Sequence, residues 1–191
     1  MTQGEIDTLL VELARQGKRV ARLKAGDPLV FGRAGEEMKA LRNAGIPFEI
    51  VPGITAALAA AADARVPLTL RGVASSLTFA TAHGADGSEP AGWAELARTG
   101  GTVAIYMGKS AGREIRDRLA DAGLPVTTAV VAVENAGRAH RRIFAGQLGD
   151  LPAFSMRIDV AGPVLILAGP AVAEGDVASA EDILPMLAVA A

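Results

Sequence analysis

The sequence predicts an α/β protein of two domains. Short runs rich in β-branched and other apolar residues, such as those at 18–23, 48–51, 77–81, 102–107 and 163–169, alternate with segments of helical period. That alternation is the pattern of strands connected by helices. Between the two patterned regions lies "HGADGSEPAG" (83–92), which gathers glycines, a proline and short polar residues. It reads as a linker, with 1–82 as the first α/β domain and 93–191 as the second.

Element by element, Thr2 with Glu5 three residues on forms a capping box. Ile6, Leu9, Leu10 and Leu13 follow at helical spacing until Gly17 ends the helix. "KRVARL" (18–23) then predicts a strand, "GEEMKALRNAG" (35–45) a helix with a glycine C-cap, and "FEIV" (48–51) a second strand. "TAALAAAADA" (55–64) predicts a helix entered through Pro52-Gly53. This βαβα order implies a parallel sheet, and "LTFAT" (77–81) supplies another strand. Past the linker, strands are predicted at 102–107, 126–133, 141–146 and 163–169, and a helix over 111–123, with antiparallel pairings. Ile183, Leu184, Leu187 and Ala188 predict a final helix.

With 191 residues, half of them hydrophobic, the chain has material for a sizeable core. Nineteen basic against 21 acidic residues leave a net charge of −2, so nothing global attracts nucleic acid or an anionic membrane. Cysteine is absent, which removes disulfides, thiolate nucleophiles and Cys-ligated metals. The two histidines, His83 and His140, stand outside any metal-ligand pattern, so metal-free chemistry is expected. The longest uncharged apolar stretch, 50–62, is short and interrupted by Pro52-Gly53, and the acidic "MTQGEIDTLL" does not read as a signal peptide. The expected compartment is the cytoplasm.

Chemistry-bearing residues concentrate in "RLKAGDPLVFGRAGEE" (22–37). In open parallel sheets ligands sit in the loops leaving strand carboxyl ends, and the run from Lys24 to Gly32 has that place. Gly26 permits close approach to backbone, Asp27 can accept hydrogen bonds, and Pro28 stiffens the turn, although Gly-Asp-Pro is also an ordinary turn. Arg33 and Glu36, three apart, share a helix face, where a plain salt bridge is the simpler reading. The small side chains after "VPG" (51–53) suit either a ligand or core packing. Arg71 in "LTLRGVASSLTF" (68–79) offers a guanidinium suited to carboxylate or phosphate, and Met107 ends a strand in "YMGKS". "ENAGRAHRR" (134–142) is basic and reads most simply as solvated surface.

Together and in order, "RLKAGDPLVFGRAGEE", "AGIPFEIVPGITAALAAAA", "VPLTLRGVASS", "IYMGKS" and "GPVLILAG" resemble the uroporphyrinogen-III C-methyltransferases. These belong to the tetrapyrrole methylase family, which includes the methylase half of sirohaem synthase. The resemblance covers residues 3–172, nearly the whole chain. It implies an α/β homodimer of two domains that binds S-adenosylmethionine in the cleft between them. The implied reaction methylates uroporphyrinogen III at two ring carbons, giving precorrin-2 for sirohaem- or cobalamin-type synthesis. By position, Ala25, Gly26, Asp27 and Val30 match the family's cofactor loop, Thr55 and Ala56 its second contact, Met107 its third and Ala136 a late backbone contact. Arg33, Glu36 and Arg71 match positions implicated in substrate binding or catalysis. The chain departs from the family in having Ala25 and Ala136 at usual glycines and Leu70 at a frequent histidine. It also lacks the family's opening strand and glycine-rich loop.

Methyl transfer to an electron-rich pyrrole carbon asks the protein mainly to align two reactants. Arginine is too weak a base to accept the proton that is then lost, so Glu36 is the expected acceptor and Arg33 its orienting partner. A sheet without its opening strand would expose apolar faces, and the N-terminal domain is therefore expected to be truncated, unstable and possessed of uncertain activity. Two rival expectations stand beside the enzyme: a non-catalytic remnant that binds S-adenosylmethionine or a partner, and a related methylase of RNA or protein. The absence of Gly-x-Gly-x-x-Gly after a strand disfavours a dinucleotide oxidoreductase.

Overall fold

The computed structural model describes residues 1–82, 92–179 and 183–187. The chain divides into two compact units, Met1–Thr55 and Ala56–Ala191. The linker expected at 83–92 lies, apart from Gly92, outside the described residues.

The first unit is built on two helices. Helix α1 (Gln3–Arg15) opens on the expected capping box: the Glu5 N–H donates to Thr2 Oγ1 (3.3 Å) and the Thr2 N–H to the Glu5 carboxylate (2.6 Å). It closes at Gly17, whose φ of +76° lets Lys18 N–H reach Leu13 O (3.2 Å) and Gly17 N–H reach Ala14 O (2.9 Å). This double bond pattern satisfies the last carbonyls of the helix. Helix α2 (Ala34–Asn43) ends the same way at Gly45, with Ile46 N–H on Leu41 O at 3.0 Å.

The strands expected at 18–23 and 48–51 do not form, and with them goes the parallel βαβα sheet expected for this part of the chain. Both runs carry suitable side chains, but a strand exists only as part of a ladder whose neighbour lies about 4.8 Å away. Here both runs line one cavity of about 870 Å³, together with Leu10, Ala14, Met38 and Leu41. The gap takes the place of the ladder. Val51 and Leu23 are consequently 73% and 84% exposed.

The second unit begins with α3 (Ala56–Ala64) and continues β1 (Leu77–Thr81), α4 (Trp93–Ala97), β2 (Thr102–Tyr106), α5 (Gly112–Asp121), β3 (Ala129–Glu134) and β4 (Arg142–Gln147). It ends with α6 (Leu151–Ser155), β5 (Val164–Ala168), α7 (Pro170–Ala173) and β6 (Ile183–Pro185). The six strands form one mixed sheet in the order β1-β2-β5-β3-β4-β6. β1 with β2 and β4 with β6 are parallel, whereas β5 runs antiparallel to both β2 and β3, and β3 to β4.

Both faces of this sheet are covered, which explains why its strands are continuous apolar runs instead of alternating ones. Val103, Ile105, Val130, Ala132, Phe144 and Ile166 join one core with Trp93 of α4, Ile115 and Leu119 of α5, and Phe154 of α6. Ala104, Val131, Val133, Ile143, Leu165 and Leu167 point the other way, onto Ala57, Ala60, Ala61 and Ala64 of α3 and Val172 of α7. The alanines of α3 at i, i+3, i+4 and i+7 are thus a packing face.

The final helix expected from Ile183, Leu184, Leu187 and Ala188 is instead β6, with Ile183 opposite Ile143 and Pro185 opposite Ala145; Ala188 lies outside the described residues. Pro185 cannot donate within a helix. The ladder continues past it, with Met186 N–H on Ala145 O at 3.0 Å, and Met186 is the residue that becomes buried while Leu187 stays 47% exposed.

Candidate functional site

In the first unit the loop between the 18–23 run and α2 is held at several points. The Asp27 carboxylate accepts the Leu29 N–H on one oxygen (2.8 Å) and the Gly53 N–H on the other (3.0 Å). It therefore ties the Gly-Asp-Pro turn to the later Pro-Gly turn. Gly26 sits at φ +73°, and its carbonyl lies where a side chain on Gly53 would have to go, so the approach needs glycine at residue 53. The Asp27 carbonyl accepts the Val30 N–H at 3.3 Å, and a Cβ on Gly32 would meet Pro28 O at 2.5 Å.

At the start of the loop the Lys24 ammonium donates to the Gly32 carbonyl and to the Glu37 carboxylate (2.9 Å). Glu37, 5% exposed, also accepts from Arg22 Nε (3.2 Å) and Gln3 Nε2 (3.3 Å). Burial alone would raise the Glu37 carboxyl, but the hydrogen bonds from Lys24, Gln3 and Arg22 outweigh it and hold the pKa below the ordinary value.

Phe31 and Arg33 both adopt left-handed backbone, at φ +51° and +57°. Such residues cost about 1–2 kcal/mol each and tend to cluster at functional sites. Arg33 is the N-cap of α2, and its side chain makes a two-pronged ion pair with Glu36, Nε and Nη2 each 2.8 Å from a carboxylate oxygen. The arginine hydrogen bond lowers the Glu36 pKa and raises that of Arg33. Both side chains are more than half or half exposed, 59% and 50%, so the pair is open to a ligand and held only lightly by its surroundings.

In the second unit β2 and β3 run in the same direction on either side of β5, with Tyr106 and Val133 both opposite Leu165. Their carboxyl ends therefore share one edge of the sheet. Met107 leaves β2 there at φ +57° and is 50% exposed; Asn135 leaves β3 at φ +55° and is followed by Ala136. The start of α3 is fixed to the same edge, because the Tyr106 hydroxyl accepts the Ala57 N–H at 3.2 Å. Asp63 of α3 accepts the Gly137 N–H (2.6 Å) and pairs with Arg141 (3.3 Å). Ala56, Tyr106 and Ala136 pack against one cluster. Arg71 comes from elsewhere, the exposed tip of a tight turn closed by reciprocal bonds between Leu70 and Ala74 at 2.9 and 2.8 Å.

Within the units, then, the residues singled out in sequence fall into two groups. Ala25, Gly26, Asp27 and Val30 share one braced loop that leads into Arg33 and Glu36, while Ala56, Met107 and Ala136 converge on one sheet edge. Thr55, buried, directly precedes α3. Sequence reasoning missed the residues behind them: Lys24 and Glu37 under the loop, and Tyr106 and Asp63 behind α3. Lys24 and Glu37 lie inside the highlighted motif 22–37, and their opposite charges at its two ends were the available signal.

A further charged network lies where β3 meets β4. Glu134, 3% exposed, accepts from Arg142 Nε and the Gly162 N–H, both 2.6 Å, and Arg142 and Arg157 meet on Asp159. The guanidinium carbons of Arg142 and Arg157 lie 5.4 and 4.9 Å from the centre of the Phe144 ring.

The profile of the Tetrapyrrole (Corrin/Porphyrin) Methylases matches residues 1–152. A sirohaem synthase of Chromobacterium violaceum is 47% identical over 176 residues, 92% of this chain and 37% of the relative; one of Gluconacetobacter diazotrophicus is 46% identical over 173 residues, again 37% of its length. The chain thus spans little more than a third of the curated relatives it matches. Among solved structures, the uroporphyrin-III C-methyltransferase of Thermus thermophilus complexed with S-adenosylhomocysteine superposes with a TM-score of 0.79 at 31% identity, covering 90% of this chain and 75% of that one. A cobalt precorrin-4 methyltransferase superposes at 0.80 with 28% identity, covering 90% and 72%. On the match over residues 1–152 and these likenesses, the chain belongs to the tetrapyrrole methylase family.

Proposed function

We propose that the chain carries an S-adenosylmethionine-dependent C-methyltransferase acting on a tetrapyrrole, in the first instance uroporphyrinogen III methylated at two ring carbons to give precorrin-2. The observation behind this reading is the braced loop that opens on Gly26 and Asp27 and ends on an exposed Arg33–Glu36 pair. Each unit by itself carries residues that fit the methyl donor: in the first, the left-handed Gly26 offers bare backbone; in the second, Ala56, Met107 and Ala136 offer small or polarizable surface. When bound, S-adenosylmethionine supplies an electrophilic sulfonium methyl group. The protein's part is to align and shield.

Arg33 and Arg71 are assigned to the substrate's carboxylate arms. Glu36 is assigned the proton that the cationic tetrapyrrole gives up, from a position other than the newly quaternary carbon, after each methyl transfer. Paired with Arg33 its carboxyl stays below the ordinary pKa, so it is ionised and ready to accept at neutral pH, and it suits a strongly acidic cationic intermediate. We place the protein in the cytoplasm as a homodimer. Anaerobic incubation with uroporphyrinogen III and radiolabelled S-adenosylmethionine should yield tetrapyrrole heavier by one and then two methyl groups. Recovery of unlabelled tetrapyrrole alone would refute the enzyme reading.

The unpaired runs at 18–23 and 48–51 favour a second reading, a chain that keeps the donor site without turning over. Binding of S-adenosylhomocysteine without label transfer distinguishes it.

A further inference from the structure

We propose that Lys24 is a positioning residue that sets the neck of the loop 25–32, so that the donor-binding backbone at Gly26 is presented in one conformation. The inference rests on the reading of that loop as the S-adenosylmethionine site.

Lys24 immediately precedes the loop, and Gly32 is its last residue before the α2 cap. The Lys24 ammonium donates to the Gly32 carbonyl, closing the loop across its base. The same ammonium pairs with Glu37 in the first turn of α2 at 2.9 Å, so the neck is fixed to the helix as well as to itself. Its side chain is 10% exposed and that of Glu37 is 7% exposed. Charges so placed hold their geometry far better than a solvated pair, because leaving one unpaired is costly.

Neither residue is needed to cap α2, whose first turn already carries Glu36, and neither is part of an apolar core. The bonds join the two ends of one loop. That loop also contains the φ +73° of Gly26 and the φ +51° of Phe31, conformations that persist only where surroundings enforce them. Lys24 acts through the loop and makes no claim on the methyl group or the tetrapyrrole.

Lys24→Met removes the ammonium while keeping most of the stem, and Glu37 retains Arg22 and Gln3 as partners, so no buried charge is orphaned. The test has two readouts on the whole chain. Titration calorimetry with S-adenosylhomocysteine should show affinity falling at least tenfold. Hydrogen exchange of the ligand-free protein should show the Leu29 and Val30 amides, both bonded to Asp27, exchanging at least tenfold faster while the amides of α2 keep their protection. Unchanged loop exchange, or loss of protection spreading equally through α2, would overturn the proposal. Should the single variant fail to fold, Lys24→Met/Glu37→Gln, which removes the charge of both partners, is read by the same measures. If the unaltered protein does not bind S-adenosylhomocysteine, the donor-site reading fails on its own, and the exchange data still decide whether Lys24 closes the neck.

Discussion

Asp27 and Gly53, far apart in sequence, are joined by a hydrogen bond from the Gly53 N–H to Asp27 Oδ2 at 3.0 Å, while Oδ1 holds Leu29. The carboxylate thus serves the loop's architecture before it serves any ligand. A carboxylate can accept about four hydrogen bonds, so room for a donor group remains. Asp27→Ala removes two acceptor bonds, each worth about 1.5–3 kcal/mol when the acceptor is charged. It should weaken S-adenosylhomocysteine binding by well over tenfold and speed exchange of the Gly53 amide; Asp27→Asn should fall between. Calorimetry showing full affinity in Asp27→Ala would contradict this arrangement.

Gly53→Ala places a methyl group against the Gly26 carbonyl, where backbone must move to admit it. The expected cost is about 1–3 kcal/mol. A control at Gly35, where nothing lies within 4 Å of an added Cβ, should be neutral or slightly stabilising, since it lies inside α2. Urea unfolding followed by probes in the first unit compares the two.

The two units should not lose structure together. In the first, Leu10, Ala34, Glu37 and Thr55 are the buried residues, whereas the second buries both faces of a six-stranded sheet. Local stability follows buried apolar contact and ladder bonding. Hydrogen exchange should therefore be fast at 19–24 and 47–52 and slow in β2, β3 and β5. Equal protection in both sets would mean that the open cavity of the first unit is closed in solution.

The network at the β3–β4 end gives a pH dependence of fixed sign. Asp159 is lowered from 3.8 to about 2, chiefly by the Arg157 hydrogen bond. At Glu134 burial pushes upward, but Arg142 and the Gly162 N–H prevail and its pKa is lowered. Depressed carboxyls stabilise the folded state above their unfolded pKa, and that contribution is lost as pH falls through the folded value. For Asp159 the window runs from 3.8 down to about 2. Denaturant midpoints should hold steady near neutrality and decline in acid, with a shallower decline in Asp159→Asn. Glu134→Ala leaves Arg142 with Asp159 as partner but takes the acceptor from the Gly162 N–H, and should cost about 1–3 kcal/mol at pH 7.

What was legible in the sequence was what local chemistry settles. Thr2, Glu5, Gly17 and Gly45 fix helix ends through bonds within a few residues, and the β1 range 77–81 was read correctly from its own composition. Pairing was not legible, because it depends on distant backbone. The runs at 18–23 and 48–51 have strand composition without a partner, and Ile183 finds its partner only at Ile143. Burial was equally hidden. Glu36 and Glu37 are neighbours in sequence, but about 100° apart around a helix, so one is exposed beside Arg33 and the other is enclosed with Lys24. The motif pointed to the first and concealed the second.

The central place of β5 governs how the second unit can assemble. It leaves the ribosome after β1, β2, β3 and β4, yet it lies between β2 and β3, so Val103 must wait for Ala168 and Val130 for the same residue. Until then β1–β2 and β3–β4 are separate two-stranded pieces with open edges, each marginal in water. Contacts so distant in sequence slow folding. Closure of the sheet is thus a late, cooperative step, and a nascent chain stalled ahead of residue 164 would hold two hydrophobic ribbons vulnerable to aggregation.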